Sequence, residues 1–310
     1  MRDLSLSSSA GADELLPVID AHVHFWDPQR FHMPWLEAHP QLKRSFGPED
    51  YRRETQGLPI EALVYVEVVV APEEALREAA WIVEVAREEP RLKAIVAAAP
   101  LEQGLGVRAH LEALRALSPL IKGVRRNIEN EAEDDFCLRP AFVDGVRLLA
   151  DYGLSCDVCV RHQQLASVVE LVRRCPDTHF ILDHLGKPPI RTGEREPWRQ
   201  HIQALGELPN VVCKVSGMVT EADHERWSAY DLVPYLGTVM AAFGPERLLF
   251  GGDWPVVLLA SSYRRWYEAL RTMLSAYPLY EQRLLWSETA RRVYRLEDSA
   301  PGHSPARAGG

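Results

Sequence analysis

The sequence predicts an α/β protein built as a single-domain (β/α)8 (TIM) barrel. Three observations lead there. Eight short apolar, β-branched runs recur along the chain, helix-like stretches with one apolar face separate them, and chemistry-bearing residues collect at the ends of the runs. The 310 residues accommodate one such barrel, whose usual size is about 250 residues.

The first run is "VIDAHVHF" (18–25), followed by a long Pro- and aromatic-rich segment (26–61) that reads as an elaborated loop able to cover a site. The second is "ALVYVEVVV" (62–70). The stretch 72–90 opens with Pro and two acids, which suits a helix N-terminus, and its apolar face is expected to hold Leu76, Ala79, Ala80 and Val83. The third and fourth runs are "KAIVAAAPL" (93–101) and "IKGVRRNI" (121–128). "SCDVCV" (155–160) precedes a helix over 164–174 with Leu165, Val168, Val169 and Val172 on one side. "HFILDHLG" (179–186), "NVVCKVSG" (210–217) and "RLLFGGDWP" (247–255) complete the eight. Tyr263, Trp266, Leu270 and Leu274 mark a helix over 262–276, and a final apolar stripe runs through 281–296. A doubly wound open sheet is the alternative, but it calls for a Gly-rich phosphate loop after the first strand, where "HFWDPQRF" stands instead. Residues 1–16 read as a flexible N-terminal segment, 17–296 as the barrel and 297–310 as a disordered tail.

Composition narrows the function. A net charge of -9 with no Lys/Arg block disfavours nucleic-acid binding, which needs a clustered basic footprint. No run of 18 apolar residues exists, and the N-terminus lacks the apolar core of a signal peptide, so neither a membrane span nor export is expected. Five cysteines, an odd number in a long chain, fit a reducing cytoplasm. "CDVC" (156–159) lies in a strand, where positions three apart face opposite ways, so buried structural thiols are expected there.

The strand ends carry the chemistry, because barrel active sites sit at that end. His22 and His24, two apart on a strand, share a face and can share one metal ion or one substrate. Glu67 interrupts an apolar run; it is either a metal ligand or half of a salt bridge inside the barrel. Arg125 and Arg126 are neighbours, so one points inward, where it suits a carboxylate or a developing oxyanion. Asp183 and His184 are expected on opposite faces, with Lys187 in the following turn. Lys214 and Ser216 share a face of the seventh strand. Asp253 ends the eighth after two glycines that permit close backbone approach, and it can ligate a metal or act as a general base on water. Trp26, Trp35 and His32 in the first loop either stack on a ring-shaped substrate or pack the loop.

Taken together, "IDAHVHFWDP", "KGVRRNIENE", "ILDHLGKPP", "CKVSGMVTEAD" and "LLFGGDWPV" resemble the amidohydrolase superfamily, and within it the amidohydrolase-2 branch of lactone hydrolases. The resemblance spans about residues 18–296. It implies a hydrolase that opens a lactone ring, a sugar-acid lactone first, with Asp253, His184 and Arg125 catalytic. With the reading of the strand ends above, His22, His24, Glu67 and Asp253 are the expected metal ligands, and Trp26, Lys187 and Lys214 the expected substrate-binding residues. Arg125 matches the branch's strand-four "GVR" and is preferred over Arg126. The implied cofactor is a divalent metal, zinc first, although some lactonases of this branch work without a tightly held ion. Many metal-dependent relatives have a histidine ending strand five; here the strand reads "CDVCVRH" with His162 beyond it, which argues against a full binuclear site. The implied partner is a small-molecule lactone, and the aromatic content is compatible with a homodimer. The alternative within the same superfamily is a metal-dependent decarboxylase of an aromatic or unsaturated acid.

Overall fold

The computed structural model describes residues 15–296. The expected flexible segment as far as residue 14, and the tail at 297–310, lie outside the described residues. All eight expected strands are present: β1 (Val18–Val23), β2 (Ile60–Val66), β3 (Leu92–Ala98), β4 (Ile121–Arg125), β5 (Ser155–Val158), β6 (Phe180–Leu182), β7 (Val211–Val215) and β8 (Leu248–Phe250). They pair in chain order, each neighbour parallel. Between them lie α1 (Pro48–Glu54), α2 (Ala75–Glu88), α3 (Arg108–Leu117), α4 (Pro140–Asp151), α5 (Leu165–Arg174), α6 (Trp198–Gly206) and α7 (Ala229–Phe243), and α8 (Tyr263–Leu274) follows β8. This is the (β/α)8 barrel.

The seam between β1 and β8 is joined just past the strand ends. The N–H of His24 donates to the Trp254 carbonyl and the N–H of Asp253 to the His22 carbonyl, each at 2.8 Å. That closure forces backbone against side chains at Gly252, where a Cβ would stand 2.2 Å from the Tyr263 ring and 2.5 Å from the Asp20 carboxylate. Only glycine fits there. At the opposite end of the barrel, Ala290, Tyr294 and Leu296 from the last helical segment pack with Ile19, Val64, Ile181 and Leu249.

The amphipathic faces expected in α5 and α8 are buried as read. The face of α2 is not. Its buried residues are Ala75, Glu78, Ala79, Ile82 and Val85, while Leu76, Ala80 and Val83 are half-buried. The helix is rotated because Glu78 occupies a core position, accepting hydrogen bonds from the Tyr65 hydroxyl at 2.6 Å and the Val68 N–H at 2.9 Å. Every strand is also shorter at its C-terminal end than its apolar run. Most of the extra apolar residues, Val68 and Val70 among them, are buried in the loops that roof the barrel mouth, while Val69 between them is exposed. Among the described residues no helix is long and apolar enough to cross a membrane.

Candidate active site

The floor of the barrel mouth is a cluster of three imidazoles around one carboxylate. His22 and His24 reach it from β1 and its end, and His184 and Asp253 from the turns after β6 and β8. Asp253 Oδ1 lies 3.5 Å from His24 Nε2, 3.8 Å from His22 Nε2 and 3.9 Å from His184 Nε2. The two turns reach inward by adopting left-handed backbone: φ is 53° at Asp253, 54° at His184 and 56° at Leu185. Non-glycine residues hold such angles only where their surroundings impose them, commonly at functional sites. The expectation that Asp183 and His184 face opposite ways is therefore corrected. β6 stops at Leu182, the alternation of a strand no longer applies, and both side chains enter the site.

The hydrogen-bond partners fix which nitrogens are free. His24 Nδ1 lies 2.7 Å from the Val66 carbonyl, which can only accept, so Nδ1 carries the proton and Nε2 presents a lone pair. His22 Nδ1 lies 3.3 Å from Asp183 Oδ1, which accepts, and 3.3 Å from Lys214 Nζ, which donates, while its Nε2 turns to His24. Burial holds His22 well below the usual imidazole range, and Asp183 only partly opposes it, so the ring is neutral. The two Nε2 atoms stand 3.1 Å apart and face Asp253. Burial raises the Asp253 carboxyl, but His184, His24 and His22 outweigh it and hold the group below the usual carboxylate range. Two converging imidazole nitrogens beside a buried carboxylate make a ligand set that fits a divalent cation of the zinc type. Within this cluster His22, Asp183 and His184 form a second close group, sharing His22 with the first.

A buried charge network supports the floor. Arg125 Nε donates to Glu67 Oε1 at 2.6 Å, and Nη1 to Asp183 Oδ2 at 3.0 Å. Lys214 Nζ lies 2.6 Å from Asp157 Oδ2 and 3.0 Å from Asp183 Oδ1, and the Tyr294 hydroxyl donates to Asp157. Asp183 is thus held between Arg125, Lys214 and His22. His184 Nδ1 lies 2.8 Å from Ser216 Oγ. Gly217 makes that approach possible, since a Cβ on it would stand 2.6 Å from the His184 ring.

Above the floor is a cavity of about 530 Å³, lined on the reactive side by His24, Arg125, His184 and Asp253. The volume suits a small molecule of one or two rings. The first long loop walls it with Trp26 and Trp35, whose rings meet edge to face at 5.3 Å. Trp26 Nε1 donates to the Arg44 carbonyl at 2.9 Å, and Trp35 Nε1 to the Val68 carbonyl at 2.8 Å, so both indoles pin the loop while facing the cavity.

The amidohydrolase family model (Amidohydro_2) matches residues 19–296. The chain belongs to the amidohydrolase family. Among its curated relatives is an L-fucono-1,5-lactonase of Burkholderia multivorans, 34% identical over 303 residues, covering 91% of this chain and 97% of the relative. A second L-fucono-1,5-lactonase, from Burkholderia ambifaria, is 30% identical and covers 79% of this chain and 82% of its own. A solved amidohydrolase of Burkholderia multivorans with bound zinc superposes with a TM-score of 0.80 at 30% identity, covering 91% of this chain and all of that one.

In this amidohydrolase the structure brings together His22, His24, His184, Arg125 and Asp253. Arg125 is the inward arginine; Arg126 turns away to Glu102 and Glu131. Of the two readings of Glu67, the structure gives the salt bridge: the carboxylate is held by Arg125 and the Val69 N–H and joins neither ligand group. Lys187 lines the cavity, paired with Glu129. Lys214 does not reach it. It is 0% exposed and lies among Asp157, Asp183 and His22, so its expected contact with substrate is corrected to a supporting ion pair. His32 lies on another surface groove, and His162 sits near the Lys187 carbonyl, outside both ligand groups. In "CDVC", Cys159, just past the end of β5, faces the cavity and Cys156 does not, and all five cysteines are free and buried. The sequence reading missed Asp157, Glu129 and Glu221. Asp157 was hidden between two cysteines, and the two glutamates sit in polar loops whose only signal is their place just past a strand end.

Proposed function

We propose that this chain is a hydrolase that opens the ring of a lactone, of the sugar-acid type, by general-base attack of water. The observation that carries the reading is the Asp253 carboxylate, buried at the cavity floor and ringed by three imidazoles within 3.9 Å. The lactonase activity named for relatives of this length and identity supports it.

His22, His24 and Asp253 would hold the divalent ion, which when bound polarises a carbonyl oxygen and lowers the pKa of water. The remaining work belongs to the chain. Asp253, kept ionised, accepts a proton from the attacking water and returns it to the ring oxygen as the carbon–oxygen bond breaks, giving the free hydroxy acid. His184, held by Ser216, lies beside Asp253 and orients the carboxylate. Arg125 keeps N–H groups beyond those used by Glu67 and Asp183. It presents them to the charge that develops on the carbonyl oxygen.

The test is proton release at neutral pH from a panel of aldonolactones, with zinc supplied. Stoichiometric acid formation from one or more of them is expected. Silence across the panel, or release of carbon dioxide from an aromatic acid instead, overturns the reading in favour of decarboxylation.

A further inference from the structure

The cavity wall carries polar groups that ring opening does not use. Glu221 comes from the loop after β7, Lys187 from the turn after β6 and Glu129 from the loop after β4, and all three line the cavity. Lys187 and Glu129 satisfy one another as an ion pair, and the Cys159 thiol also donates to Glu129, at 3.2 Å. Glu221 is different. Its carboxylate is half-buried and faces the cavity, yet among the described residues it has neither a hydrogen-bond nor an ion-pair partner. Burial raises its pKa, with Glu129 and Asp253 adding to the rise and Lys187 opposing it. A carboxylate withdrawn from water lacks donors that a ligand can supply.

The charge balance says which ligand. Arg125 lies between Glu67 and Asp183, and Lys187, the cation that acts on Glu221, already lies against Glu129. Asp253 belongs to the ion site, so Glu221 is the wall carboxylate left without an ion-pair partner among the described residues. A lactone carrying a carboxylate on that side meets repulsion. A neutral ring bearing several hydroxyls offers the O–H donors that Glu221 lacks, and Lys187 is near enough to influence Glu221 and to donate to a hydroxyl oxygen.

We propose that Glu221 is the specificity-determining residue of the cavity. Its carboxylate accepts hydrogen bonds from the hydroxyls of a neutral polyhydroxylated lactone and repels lactones that carry a carboxylate. The proposal rests on the lactone-hydrolase reading.

The experiment compares wild type with Glu221→Gln on three probes: a neutral polyhydroxylated aldonolactone, its deoxy analogues taken one position at a time, and a carboxylated lactone of the muconolactone type. Wild type is expected to favour the hydroxylated ring over one deoxy analogue by about tenfold or more, the weight of a hydrogen bond to a charged group. Glu221→Gln loses that preference, mainly through KM, and narrows the gap to the carboxylated lactone. Glu221→Asp restores part of the preference, which a merely misfolded variant would not do. If wild type opens lactones and Glu221→Gln keeps the same preferences, the assignment of Glu221 is overturned while the lactone reading stands. If wild type opens none, calorimetry with a neutral pyranose and its deoxy counterparts reads recognition without chemistry. Weaker binding to Glu221→Gln then supports the residue's role, and equal or absent binding overturns it.

Discussion

His22 Nε2 and His24 Nε2 face each other at 3.1 Å, with the His24 ring proton committed through Nδ1 to the Val66 carbonyl. Two imidazole nitrogens that close share a proton or a cation between them, and Asp253 adds a negative charge on the same side. The expected consequence is one divalent ion bound per chain. Zinc titration by calorimetry, with metal content measured after dialysis, should give that stoichiometry in wild type and its loss in His24→Ala. Zinc should also raise the melting temperature of wild type and leave that of His24→Ala unmoved, because only a ligand that binds the folded state stabilises it. A stoichiometry of zero in wild type sinks the site.

Asp253 is the base in the proposed ring opening. Asp253→Asn keeps the shape and removes the proton acceptor, so kcat should fall by about 10²–10⁴-fold, the usual contribution of one placed acid–base group. Circular dichroism and melting must show the variant folded. Near-normal turnover in a folded Asp253→Asn would remove Asp253 from the chemistry.

The barrel was legible because its strands are almost entirely buried and read as apolar runs; such runs mark strand existence well and strand ends poorly. Val68, Val70 and Leu185 are as buried as the strand residues before them, so nothing in the pattern shows where the ladder stops. His22, His24 and Asp253 stood out because a polar side chain in an apolar run needs a reason to be there. Asp183 was misplaced because the left-handed turn at His184 and Leu185 is not encoded by alternation. Lys214 was assigned to the substrate because the carboxylates that hold it, Asp157 and Asp183, come from two other strand segments. Convergence of that kind is a property of closure, and local sequence does not carry it.

Lys214 should matter for stability as much as for activity. Its ammonium is fully buried between Asp157 and Asp183, so Lys214→Met leaves two carboxylates in the barrel interior with one cation fewer. Removing one partner of a buried pair costs about 3–5 kcal/mol. Urea unfolding should show a loss of that size, and Lys214→Met combined with Asp157→Asn should recover part of it by deleting one stranded charge. A double variant no more stable than the single one would mean that Asp157 is not the group Lys214 neutralises.

Glu78 gives the fold a pH dependence of its own. Burial, reinforced by the charge of Glu67, pushes its carboxyl up from 4.5 to about 8, against the hydrogen bonds from Tyr65 and Val68. Between those two values the folded chain holds a proton that the unfolded chain has released. Folded stability therefore falls as pH rises through that window, with a slope approaching about 1.4 kcal/mol per pH unit from this group, and levels off above it. Glu78→Gln keeps an oxygen to accept from the Tyr65 hydroxyl and the Val68 N–H and never ionises. Relative to wild type, the variant should be about equally stable near pH 4.5 and more stable at pH 8. The check is urea unfolding of both proteins across that range. Parallel stability curves, with no growing gap between variant and wild type, would show that Glu78 is ionised in the folded protein throughout.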